Sequence, residues 1–354
     1  MKIADVEVIP YALPFREPYV TARGRLDRRE MVLLRLRSED GLVGLGEAVP
    51  LSLRGGTELK QVVAELELFD RLEAIDESEI EALPSLSAPT RCAATTALLD
   101  LRSKHSAAEG RTEASEPTPV PCNATLVAGE PAAVAEDALR WAAEGFSTFK
   151  LKLGAGDDVG QVTAVREALG GEAKIRIDAN AAWDVDTARR TLAELEPHDI
   201  ELVEQPVATL VGLAEVAGAT SIPVAGDESI ETCAHAEEAI RLGACDLAGL
   251  KLSKVGGPEA AVDIAELMPC FLSSALDGPV GIAAAAQVAQ TLEATAPAES
   301  PRFAHGLATQ RLFAATIASV ECDIRDGMLH PPPGPGLGVE VDEAALDAHR
   351  LGAR

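Results

Sequence analysis

At 354 residues the chain is longer than one small domain and fits a barrel of roughly 200 to 250 residues with a smaller partner. A net charge of −26 repels nucleic acid and anionic membrane at long range, which argues against either as a partner. Hydrophobic residues make up 47% but aromatics only 3%, so the core is expected to be Ala, Val, Leu and Ile, as in parallel strands covered by helices.

An acidic residue, Asp5, arrives before any apolar run of a signal peptide could form, and no stretch of about 18 apolar residues occurs. Six scattered cysteines with no Cys-x-x-Cys pair read as reduced thiols of a cytoplasmic protein. β-like segments are expected at residues 3–9, 31–37 and 42–48, the last after the Asp40-Gly41 turn. Between the first two lies the polar, Arg-rich stretch 16–29, read as a loop able to close over a site, as is 53–56. Helices are expected over 59–72 and 90–105, so residues 1–115 read as an α+β domain. The Gly-rich run 41–46 lacks dinucleotide spacing and reads as part of a hairpin.

Glu, Ser, Thr and Pro crowd residues 107–121 and mark a linker. Beyond it, eight strand-like runs alternate with helical stretches, at 121–124, 148–153, 174–180, 200–205, 223–227, 247–252, 270–276 and 302–306. Eight βα units are what a (β/α) barrel, a modified TIM barrel, requires, so the fold class is α/β and the barrel is placed at 116–325. The run Pro331-Pro332-Pro333-Gly334-Pro335-Gly336 can be neither helix nor central strand, and residues 326–354 are expected to return to the first domain.

Lys152, Asp178, Glu204, Asp227 and Lys251 fall at intervals of 26, 26, 23 and 24 residues, one βα unit each. Parallel strands all end at the same face, so these five side chains converge on one barrel mouth. In Phe149-Lys150-Leu151-Lys152-Leu153 the lysines share one side and the apolar residues the other; Asp178 and Asn180 likewise oppose Ile175 and Ile177. Three carboxylates without His or Cys are hard oxygen ligands, suited to Mg²⁺ or Mn²⁺. Such an ion would steady the charge that forms when a proton leaves the carbon beside a substrate carboxylate. A lysine is then expected to act as base, its pKa lowered by burial and by a cationic neighbour such as Lys150. A single Lys-x-Lys is more often a solvated edge and a single strand-end acid a helix cap, but neither explains all five at one-unit spacing. Lys254 competes with Lys251; Lys251 is favoured because it lies within the strand-like run, whereas Lys254 precedes the loop Val255-Gly256-Gly257-Pro258.

Together the motifs Lys150-Leu-Lys152, Arg176-Ile-Asp178-Ala-Asn180, Val203-Glu204-Gln205-Pro206, Gly226-Asp227-Glu228-Ser229, Leu250-Lys251-Leu252 and Gly44-Leu-Gly46-Glu47 resemble the enolase superfamily, muconate lactonizing enzyme subgroup. The resemblance covers nearly the whole chain. It implies a capping role for the α+β domain, magnesium on Asp178, Glu204 and Asp227, and Lys152 and Lys251 on opposite faces of a small carboxylate substrate, with Lys150 tuning Lys152. Asn123-Ala124-Thr125, residues 273–277 and residues 305–309 are similar to o-succinylbenzoate synthases of menaquinone biosynthesis, which implies a lyase reaction with loss of water. Asn123, Ser273, Ser274, Asn180 and Arg23 are the substrate-binding candidates. N-acylamino acid racemases, dipeptide epimerases (isomerases) and muconate cycloisomerases stay open, although the Asp-x-Asp that a dipeptide ammonium would want on strand seven is absent. A catalytically silent barrel would be expected to lose a lysine, and none is lost. Assembly into a homo-oligomer is left open by the sequence.

Overall fold

The computed structural model describes residues 2–21, 24–50, 56–69, 86–111, 116–295 and 301–352. Three antiparallel strands, β1 (Ile3–Thr21), β2 (Gly24–Ser38) and β3 (Val43–Ala48), pack on the helices Leu59–Leu66 and Ala88–Ala108. Val32, Leu34 and Leu36 of β2 meet Ala93, Ala97 and Leu101 of the longer helix in a core of their own. β1 and β2 stay paired out to Thr21 and Gly24, so the Arg-rich stretch expected as a loop is instead the far half of a long ribbon. Charged residues stand on both faces of it, where Arg25 meets Asp27 at 3.0 Å and Arg28 meets Glu30 at 2.7 Å, and this hides the alternation by which a strand is recognised. Tyr19 turns inward and is buried, with Phe15 stacked between it and Phe313 at centroid distances of 5.6 and 4.9 Å. The helix expected over 59–72 is seen as Leu59–Leu66, and residues 70–72 of it and 53–55 of the second expected loop lie outside the described residues.

Alternation along β3 decides how the two parts meet. Gly44 and Gly46 lie against the backbone of the helix Ala88–Ala108, where any Cβ would overlap the carbonyl oxygens of Ala97 and Ala93. The opposite face of the strand carries Leu45 and Glu47, and Leu45 belongs to the core shared with the barrel. Asp100 on the same helix accepts the amides of Leu45 at 2.8 Å and Leu337 at 2.7 Å, and so joins β3 to the C-terminal chain.

After the short strand β4 (Val120–Pro121), seven parallel strands follow in chain order: β5 (Ala124–Leu126), β6 (Thr148–Lys152), β7 (Lys174–Asp178), β8 (Ile200–Glu204), β9 (Val224–Gly226), β10 (Leu247–Leu250) and β11 (Cys270–Leu272). The eighth expected strand is reduced to single bridges at His305 and Gly306, which pair with Cys122 on one side and Ser273 on the other and so close the ring. Beyond the ring come β12 (Ala318–Val320), β13 (Asp323–Arg325), β14 (Met328–His330) and β15 (Glu340–Val341), with β14 pairing β4. The last helix, Glu343–His349, brings Glu343 to Arg35 of β2 at 2.6 Å, and the Leu351 amide donates to Pro10 O at 2.8 Å. No described helix is long and apolar enough to cross a membrane, and all six cysteines are free.

Replacing Gly46 with Ala should push β3 off its helix and cost about 1–3 kcal/mol by overpacking. Urea denaturation checks this, and an unchanged midpoint would contradict the close approach.

Candidate active site

Strand register sets the site. Lys152 lies opposite Asp178, and Asp178 opposite Glu204, so three charged side chains from β6, β7 and β8 stand level on the inner face of the ring. Ile175 and Ile177 take the other face and are fully buried beneath helices. Below the charges lies an apolar floor of Leu202, Ala225, Leu247 and Phe271, with Phe303 beside it. Arg176 covers that floor: its guanidinium sits 5.2 Å from the Phe271 ring centre and 5.7 Å from that of Phe303, pairs with Glu201, and donates to Ala304 O at 2.6 Å. A buried arginine on two aromatic faces with a carboxylate partner makes a dry plug, leaving one end of the barrel for chemistry.

At that end four lysines meet three carboxylates. Lys150 Nζ is 2.6 Å from Glu204 Oε2 and 2.8 Å from Asp178 Oδ2. Lys152 Nζ donates to Asp178 Oδ2 at 2.6 Å and to Asn180 Oδ1 at 3.2 Å. Across the ring, Lys251 donates to Asp227 Oδ2. Lys254 donates to the Asp227 carbonyl, to its Oδ1 at 2.9 Å and to Gly249 O at 3.2 Å. Lys254 stands before the Gly256-Gly257 turn, as its sequence context suggests, but itself rides a helical turn, Leu252–Val255, that starts directly after Lys251. Residues three apart on such a turn share a side, which is the signal that places both lysines on one carboxylate.

The remaining candidates divide. Thr125 lies opposite Lys150 in the register, so Thr125, and Asn123 two residues earlier, face the ring interior. Asn123 is buried, with Nδ2 donating to Ala124 O at 3.1 Å and Oδ1 without a partner. Ser273 bridges Gly306, and Ser274 Oγ donates to Asp277 Oδ2 at 2.7 Å. Arg23 lies outside the described residues. Sequence reasoning missed Tyr19, which comes near enough to Lys152 to act on its charge, and Gln205, whose Oε1 accepts the Asp227 amide at 2.8 Å.

Electrostatics here run against one expectation. Burial alone would lower the Lys152 ammonium, but Asp178, Tyr19 and Glu204 outweigh it and hold the pKa well above lysine's ordinary value; Lys150 is raised for similar reasons. Asp178 is driven far below the carboxylate range, against the effect of burial, by Lys150, Lys152 and Lys251. Glu204 moves the other way. Burial and the neighbouring Asp178 charge raise it in spite of Lys150, and its Oε1 is buried with no partner. Among the described residues no three His, Cys, Asp or Glu side chains are gathered tightly enough to chelate an ion as they stand, because each of the three acids is turned to a lysine. The donor set nevertheless fits a hard divalent cation: every acceptor is oxygen, and Glu204, paired to Lys150 through Oε2 alone, keeps its buried Oε1 without a partner.

Comparison with known proteins places this geometry. Residues 3–109 match the family described as "Mandelate racemase / muconate lactonizing enzyme, N-terminal domain", and residues 133–345 match "Enolase C-terminal domain-like". The chain belongs to the enolase superfamily. Among its relatives is o-succinylbenzoate synthase of Thermobifida fusca, 41% identical over 64% of this chain and 69% of that one. Muconate lactonizing enzyme from Pseudomonas fluorescens, solved with muconolactone, superposes with a TM-score of 0.89 at 28% identity over 99% of both chains. A dipeptide epimerase from Enterococcus faecalis, solved with Mg and L-Leu-L-Tyr, gives 0.86 at 27% identity over 96% of this chain and all of that one. The enolase-superfamily fold accounts for both the capping sheet and the curled parallel ring.

Lys254→Met should strip the Asp227 and Gly249 carbonyls of their shared donor and lower stability by about 1–3 kcal/mol. Guanidinium unfolding measures it, and wild-type stability would show that Lys254 holds nothing in place.

Proposed function

We propose that this enzyme removes the proton α to a substrate carboxylate with Mg²⁺, or Mn²⁺, held by Asp178, Glu204 and Asp227, and that its reaction is the dehydration giving o-succinylbenzoate, the menaquinone-pathway step. Bound there, the cation supplies fixed positive charge against the substrate carboxylate as charge develops on it. Lys152 takes the α-proton and returns it to the departing β-hydroxyl, which leaves as water. Engaging Asp178 and Glu204 with the cation would weaken two of the interactions that hold the Lys152 pKa up, leaving less to oppose burial, which favours the neutral amine. Lys251, four strands round the ring on β10's end, stays cationic and faces the developing charge from the opposite side.

One observation carries the choice of substrate. The turn after β11 offers the hydroxyl of Ser273, while its one acid, Asp277, is engaged by Ser274 Oγ and by the Ala275 amide at 2.7 Å each. An ammonium would meet no available carboxylate there, which favours a purely acidic substrate over a dipeptide. The identity to the Thermobifida fusca synthase supports the same reading. A second reading, racemisation of N-acylamino acids, is favoured by the placing of two lysines on opposite sides of the ring, as proton exchange on both faces requires.

Incubating the protein with Mg²⁺ and the cyclohexadiene precursor should consume its absorbance, and Lys152→Ala should slow turnover by about 10²–10⁴-fold or more. No consumption, with deuterium from solvent entering N-succinyl amino acids, would transfer the assignment to the racemase. Turnover retained by Lys152→Ala would overturn both.

A further inference from the structure

Glu47, at the end of β3, reaches from the capping sheet into the barrel and is 2% exposed. Its Oε2 accepts from the Tyr11 hydroxyl at 2.6 Å, and its Oε1 accepts the Gly278 amide at 2.6 Å. Gly278 immediately precedes the helix Pro279–Thr295, whose first amide groups favour negative charge, and the Gly281 amide also bonds the carboxylate. The turn is moulded around this group. A Cβ at Gly278 would come within 2.6 Å of Glu47 Oε2, and one at Gly281 within 2.7 Å of Oε1.

The same turn carries Ser273 and Ser274 at its other end. Between them and Gly278, Leu276 adopts φ +66°, a left-handed conformation that a branched residue holds only when its surroundings impose it. Asp277 bonds back to Ser274 on one side while Gly278 bonds forward to Glu47 on the other. We infer that Glu47 is a positioning residue: by gripping Gly278 it holds the turn that presents Ser273 and Ser274, and so makes substrate binding depend on how the capping sheet is seated. The inference rests on the reading of residues 273–277 as substrate-facing.

The charged and titratable groups around Glu47 are Tyr11 from β1, Asp277 from the turn and Cys92 from the helix Ala88–Ala108, with Arg29 of β2 acting on Asp277. Burial and Asp277 push Glu47 up to about 7, while the bonds from Tyr11, Gly278 and Gly281 pull the other way. The ionised carboxylate, which matches the helix start, is therefore lost as pH falls through neutrality.

Glu47→Gln keeps the shape and removes the charge. Its KM for the cyclohexadiene precursor should rise about tenfold with kcat within about twofold of wild type, the loss of one charged hydrogen bond. Wild-type KM should climb from pH 8 to pH 6, whereas that of Glu47→Gln should stay flat. Amide hydrogen exchange in peptides covering residues 270–281 should quicken in the variant, with those covering 148–152 and 174–178 unchanged. Equal loss of kcat, a retained pH dependence, or unaltered exchange at 270–281 would overturn the inference. Exchange needs no substrate, so failure of the wild type on the precursor would reject that substrate while leaving Glu47 tested. Should Glu47→Gln not fold, Tyr11→Phe, which removes one bond to the same carboxylate, should change exchange in the same direction by a smaller factor, and no change would count against the role.

Discussion

Four lysines and three carboxylates buried at one end of the ring are the constraint around which the rest is arranged. A charge taken out of water is tolerated only when others compensate it, so Lys150, Lys152, Lys251, Lys254, Asp178, Glu204 and Asp227 must be placed together or not at all. Placement comes from backbone: the register of β6, β7 and β8 levels three of them, and the turn Leu252–Val255 brings two lysines to Asp227. Asn180 and Gln205 take positive φ of 48° and 40° just beyond Asp178 and Glu204; Asp178 Oδ1 accepts the Asn180 amide, and the Gln205 side-chain amide bonds Val207, Ser229 and the Asp227 backbone.

Separate parts of the fold carry separate tasks. Strand ends hold the charged cluster over a floor of Leu202, Leu247 and Phe271 sealed by Arg176, and these are rigid elements. Other parts of the chain come up beside the cluster: the ribbon that delivers Tyr19 near Lys152, and the turn of residues 273–277 that follows β11. Relatives of the chain include a synthase and an epimerase, as expected where one fold carries different reactions.

Much of this was legible in the sequence, because each βα unit is nearly the same length and the charged residues recur once per unit. What escaped has local causes. The eighth strand shrinks to His305 and Gly306, too short for any periodicity, and the ribbon's alternation is hidden by arginines paired to acids two residues away. Lys254 was read only as standing before a loop, because a four-residue helix leaves no pattern. Lys152 was expected to be lowered by burial and Lys150, but three groups brought near by folding, Asp178, Tyr19 and Glu204, reverse the sign. Glu47 was visible as a motif residue, yet its partner Gly278 lies 231 positions away and no spacing rule links them.

The central claim is that Asp178, Glu204 and Asp227 form one divalent-cation site. Manganese binding followed by electron paramagnetic resonance tests it without any substrate. One Mn²⁺ per chain is predicted for the wild type, displaced by excess Mg²⁺ and lost in Glu204→Gln. Absence of a bound ion in the wild type, or equal binding by the variant, would contradict the account.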